Sequence, residues 1–84
     1  MTVYPNPLTD GRSLTVRLQG LPAGSYTLQL TASDGRVVAT RTVVHGEGAG
    51  TYRIEWNAAL PKGNYMLRCI RGADLIGSAG VVLQ

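Results

Sequence analysis

Few residues in this 84-residue chain can do chemistry, and their spacing does not favour it. There is one histidine, His45, and one cysteine, Cys69. A nucleophilic triad needs a positioned nucleophile beside an oriented base. His45 opens the run His45-Gly46-Glu47-Gly48-Ala49-Gly50, which is expected to form a flexible loop that gives the ring no local support. Cys69 closes an alternating set with Tyr65 and Leu67, the pattern of a small buried hydrophobe. A single cysteine forms no internal disulfide, and no metal-ligand spacing surrounds it.

The carboxylates are Asp10, Asp34, Glu47, Glu55 and Asp74. Glycoside hydrolysis needs two carboxyls converging across a cleft. Asp10 and Asp34 sit beside glycines, which is turn chemistry, and Asp74 neighbours a turn. Glu55 points away from the face shared by Ile54 and Trp56. No Asp-x-Asp run offers clustered oxygens to calcium. The glycines at 46, 48 and 50 precede a strand, so the helix N-terminus of a phosphate loop is missing. Trp56 is the one side chain large enough to stack on a sugar, but it alternates with Ile54 and Tyr52 and is expected in the core. No catalytic, cofactor-binding or metal residue is expected.

If the side chains are not reactive, the elements that carry them must be informative. Apolar residues make up 44% of the chain and charged residues 15%, which is globular composition. Its length is that of one domain with a thin core. The eight basic residues, Arg12, Arg17, Arg36, Arg41, Arg53, Lys62, Arg68 and Arg71, are scattered and the net charge is only +3, so no nucleic-acid partner is expected. No apolar run approaches the roughly 18 residues of a membrane helix. The opening Met1-Thr2-Val3-Tyr4-Pro5 has neither a basic nor an apolar segment of a secretory leader. Residues 1–84 are expected to be a single domain cut from a longer protein.

Period-two alternation recurs along the chain, punctuated by Gly, Pro, Asp and Asn. It predicts strands over about 13–19, 25–32, 36–44, 51–57, 64–71 and 75–83, with a short one at 2–4. Asp34-Gly35 predicts a two-residue hairpin. Gly77 and Gly80 predict either a bulge or a short final strand beginning near Ala79. Short antiparallel strands with turns every eight to twelve residues predict an all-β, immunoglobulin-like β-sandwich of about seven strands.

One internal repeat stands out. Leu21-Pro22-Ala23-Gly24-Ser25-Tyr26-Thr27-Leu28 and Leu60-Pro61-Lys62-Gly63-Asn64-Tyr65-Met66-Leu67 both read Leu-Pro-x-Gly-x-Tyr-x-Leu. Pro fixes φ and Gly permits positive φ, so the chain reverses there. The Tyr and Leu that follow face one side of a strand. Two copies are too few for a solenoid and are expected to form equivalent corners of one sandwich.

Four boxes together carry a resemblance. Tyr4-Pro5-Asn6-Pro7 is a rigid extended-then-turn segment. Tyr26, then Asp34-Gly35-Arg36-Val37-Val38, forms a middle box. Leu60, Pro61, Gly63 and Tyr65 form a third, and Gly80-Val81-Val82-Leu83-Gln84 an apolar ending. In this order, along the whole chain, they resemble the C-terminal sorting domain of the type IX secretion system of Bacteroidetes. The resemblance implies a non-catalytic address at the end of a large cargo protein. It implies transit through the periplasm, engagement of the outer-membrane translocon, and a secreted or cell-surface destination. A sortase-like peptidase would remove the domain, upstream of Met1, and attach the cargo to the surface. The implied recognition residues are Tyr4, Pro5, Asn6, Pro7, Asp34, Gly35, Leu60, Pro61, Gly63, Tyr65, Val81, Val82, Leu83 and Gln84, and the terminal strand also offers an edge for a dimer. The alternatives are a fibronectin-like accessory module or a carbohydrate-binding module of an extracellular enzyme.

Overall fold

The computed structural model describes residues 1–4, 12–56 and 60–83. They form seven strands: β1 (Thr2–Tyr4), β2 (Ser13–Leu21), β3 (Gly24–Ala32), β4 (Val37–His45), β5 (Gly48–Glu55), β6 (Gly63–Arg71) and β7 (Asp74–Leu83). All pairings are antiparallel. A three-stranded sheet, β1-β2-β5, faces a four-stranded one, β4-β3-β6-β7. The expected sandwich is therefore the fold.

Alternation decides which face is buried. Leu14, Val16 and Leu18 of β2 point inward against Tyr26, Leu28 and Leu30 of β3 and Tyr65, Leu67 and Cys69 of β6. Ile54, Val43, Val81 and Leu83 complete this core, with Tyr52, Trp56 and Leu60 packed at its rim. Each fully buried leucine contributes roughly 1.5–3 kcal/mol over its exposed state, which matters in a domain so small.

Two turns differ from the expectation. The β3–β4 hairpin has three loop residues, because Gly35 N–H donates to Ala32 C=O (2.9 Å) while Ala32 N–H donates to Arg36 C=O (2.8 Å). Gly35 takes φ +90° as the bulge residue after the turn. Asp34-Gly35 marks the hairpin correctly, but the turn lies one residue earlier.

The glycine run after His45 is not a loop. Only Gly46 and Glu47 lie between β4 and β5. The remaining glycines serve the strand itself: Gly48 adopts φ +96°, and Gly50 makes room for side chains packed over it.

The last strand is not short. It runs ten residues, and its register slips between Cys69↔Gly77 and Ile70↔Leu75, leaving Ile76 as the extra residue. The bulge lets the strand continue through Gly77, where a break was the other expectation.

Candidate recognition surface

The two Leu-Pro-x-Gly-x-Tyr copies build the same corner. Tyr26 Oη donates to Pro22 C=O at 2.6 Å, and Tyr65 Oη donates to Pro61 C=O at 2.5 Å. Gly24 and Gly63 take φ +155° and +150°, a region closed to other side chains. In each copy the tyrosine ring enters the core while its hydroxyl donates to a carbonyl of the turn before it.

The corners occupy opposite ends of the four-stranded sheet. β3 and β6 are antiparallel neighbours, with Leu28 opposite Cys69 and Ala32 opposite Tyr65. The corners are chemically alike but differently surrounded. At the first, the Arg71 guanidinium lies over the Tyr26 ring at 5.6 Å, and the His45 ring meets it edge-on at 5.8 Å. A Cβ on Gly24 would lie 3.3 Å from the Arg71 guanidinium. At the second, a Cβ on Gly63 would meet nothing within 4 Å. The first corner is covered by its own chain, whereas the second is open among the described residues.

The open corner gathers most of the sequence-predicted residues. Gly63 pairs with Leu83, and Tyr65 with Val81 on one side and Ala32 on the other. The Asp34-Gly35 hairpin follows Ala32 directly, and Asp34 Oδ1 accepts the Arg36 backbone N–H at 3.0 Å. Tyr4 pairs with Thr15 near the start of β2. Because β2 and β3 meet at the covered corner, the start of β2 lies at the open end. Tyr4 and Val82 are 43% and 41% exposed, while Val81 and Leu83 point into the core. Leu60 packs at the core rim and Pro61 is exposed. The tail thus offers one exposed side chain, flanked by two that hold it down. Pro5, Asn6, Pro7 and Gln84 lie outside the described residues.

His45 overturns the expectation that it lacks support. It is 1% exposed. Its Nε2 lies 3.1 Å from Gly48 C=O and its Nδ1 lies 2.7 Å from Tyr52 Oη. A carbonyl can only accept, so Nε2 carries the proton and Nδ1 accepts from the tyrosine hydroxyl. Both nitrogens are used, and the ring serves as a buried strut between the two sheets. The signal for it was the parity of His45 with Val43, which places both on the inward face of β4. Trp56 is half-buried against the core and Tyr52 is held by His45, so the two make no exposed aromatic platform. Burial pushes the Cys69 thiol above its ordinary value, and the N-terminal charge opposes it. Among the described residues no group of three or more His, Cys, Asp and Glu could hold a metal.

A family model described as a secretion system C-terminal sorting domain matches residues 2–78. The match takes in the first three boxes and stops short of Val81, Val82 and Leu83. No curated protein and no solved structure gives a match to the chain.

Proposed function

Because the chain belongs to the secretion system C-terminal sorting domain family, we propose that it is a non-catalytic address whose open corner is read by the type IX translocon during cargo export. Domains of this family are sorting signals for type IX secretion, and they imply export across the outer membrane to a secreted or cell-surface location. The cargo passes through the periplasm. The translocon then engages the open end of the sandwich, and a sortase-like peptidase removes the domain and attaches the cargo to the surface.

The observation that supports this reading is the convergence of the boxes. Tyr4, the Asp34-Gly35 hairpin, the Leu60–Tyr65 corner and Val81–Leu83 come from four separate stretches of chain and meet at one end. The sheet needs only the inward members, Tyr65, Val81 and Leu83, for its core. Tyr4, Asp34, Pro61 and Val82 are exposed and add little to packing, which suits residues presented to a partner.

A reporter carrying its own periplasmic signal and ending in residues 1–84, expressed in a type IX-competent host, tests the reading. Reporter at the surface or in the medium is the expected result, and retention in the periplasm refutes it. A companion lacking Val81 to Gln84 is expected to remain inside the cell. Full export of that truncation would remove the tail from the recognised surface.

A further inference from the structure

The two sheets meet along a seam between β4 and β5, each the edge strand of its own sheet. Arg41 lies opposite Leu28 and so on the inward face of β4, at the edge of the sheet, and it is exposed. Its Nη1 crosses the seam and donates to the Arg53 backbone carbonyl on β5. Arg53 extends over the outer face of the smaller sheet. Its Nε lies 3.0 Å from Glu55 Oε1, and its Nη2 donates to Ser13 Oγ at 3.2 Å.

These side chains frame two adjoining clefts. The first, about 420 Å³, is lined by Thr40, Arg41, Arg53, Ile54 and Glu55. The second, about 300 Å³, shares Arg53 and Glu55 and adds Arg12, Ser13 and Trp56. At the first cleft Arg41 and Arg53 therefore stand beside one carboxylate, Glu55, among the described residues.

We propose that this seam binds a phosphate-class oxyanion, either free phosphate or a phosphomonoester on a sugar. A guanidinium presents a planar fork of donors that matches phosphate oxygens, and such charge-assisted pairs are the stronger kind. Arg41 donates to β5 through one of its five donors and lines the cleft, so part of the ordering cost of binding is already met. Arg53 approaches from β5, and Thr40 lines the same cleft. Glu55 is the resident anion, but its pair with Arg53 is exposed, at 63% and 66%, and pairs of that kind are weak. An incoming dianion displaces the Glu55 carboxylate from Arg53.

The test is a titration of the 84-residue chain at low ionic strength, followed by amide and arginine Nε–H resonances. The probes are inorganic phosphate and glucose 6-phosphate, with glucose as the neutral control. Saturable shifts confined to Thr40, Arg41 and Arg53 to Glu55 are expected, and they weaken with added salt. Arg41→Gln is expected to weaken binding about tenfold, by loss of charged hydrogen bonds. Glu55→Gln is expected to tighten it by removing the competitor, the opposite of what a merely structural ion pair would do. Arg68→Gln, on the outer face of the larger sheet, is expected to leave affinity unchanged. Tighter binding of the sugar phosphate assigns the ester as ligand, and equal affinity assigns free phosphate. Shifts that fail to saturate, equal losses in Arg41→Gln and Arg68→Gln, or weaker binding in Glu55→Gln would each overturn the proposal.

Discussion

Gly50→Ala is the sharpest test of the buried strut. Alanine in place of a strand glycine ordinarily stabilises by roughly 0.5–1 kcal/mol, because it reduces the freedom of the unfolded chain. Gly50 does not adopt positive φ, so its backbone offers no objection. Side chains do. An added Cβ would lie 2.5 Å from Tyr52 Oη and 2.9 Å from His45 Nδ1, inside any tolerable contact. Both atoms are the partners of one 2.7 Å hydrogen bond, and His45 is fully buried. To make room, Tyr52 must leave, and the buried Nδ1 then loses its partner, which costs about 1–3 kcal/mol. Overpacking adds about 1–3 kcal/mol more. The net expectation is a loss of about 2–4 kcal/mol, from a total of only about 4–13 kcal/mol for a chain this long. Urea unfolding monitored by Trp56 fluorescence measures it directly. In a Tyr52→Phe background the nearest atom and the hydrogen bond are already gone, so the penalty for Gly50→Ala falls by about 1 kcal/mol or more. A Gly50→Ala midpoint at or above wild type would refute the reasoning, as would additivity with Tyr52→Phe.

Two further outcomes follow from the corners and the core. Tyr26→Phe and Tyr65→Phe each remove one hydroxyl from a turn carbonyl and are expected to cost about 1 kcal/mol. The loss is larger for Tyr26, which is 1% exposed against 8% for Tyr65, and urea midpoints check the order. For Cys69, a folded-state value raised by burial means that its contribution to stability is complete below the ordinary thiol value of 9.0 and is lost as pH rises past it. Wild type is therefore expected to lose stability above that pH relative to Cys69→Ala, in urea titrations run at pH 8 and pH 10. Parallel pH dependence in the two proteins would place the thiol in a wetter site than β6 provides.

Much of the fold is legible from period-two alternation, because a sheet with one buried face imposes that period on its sequence. Leu14, Val16 and Leu18, like Tyr65, Leu67 and Cys69, announce both strand and inward face at once. What fails is glycine. At Gly35 and Gly63 it means a turn, at Gly77 the neighbour of a bulge at Ile76, and at Gly50 only that two side chains need the space. Local rules hear the same word each time, so the run after His45 reads as a loop although it opens β5. His45 fails with it. Its support comes from Tyr52 on the facing sheet, a contact no local pattern encodes.

The repeat leads further than either copy alone. As sequence, the two Leu-Pro-x-Gly-x-Tyr boxes are interchangeable, and each forms the same hydroxyl-to-carbonyl corner. Their antiparallel pairing sends them to opposite ends, and there the chain treats them differently. Arg71 and His45 close over the first, so any partner reaching Tyr26 would have to displace a cation from its ring and open a buried hydrogen-bonded imidazole. Among the described residues nothing closes over the second except β7, which lies beside it as a paired strand rather than across it as a cover. A partner can therefore approach Pro61, Gly63 and Val82 without unfolding anything. If the domain is read folded, the second corner is the end at which reading costs least. A sorting signal that answered equally to substitutions at exposed Ala23 and exposed Lys62, measured by export of the same reporter, would contradict that asymmetry. Sensitivity at Lys62 alone would place the reader at the open end.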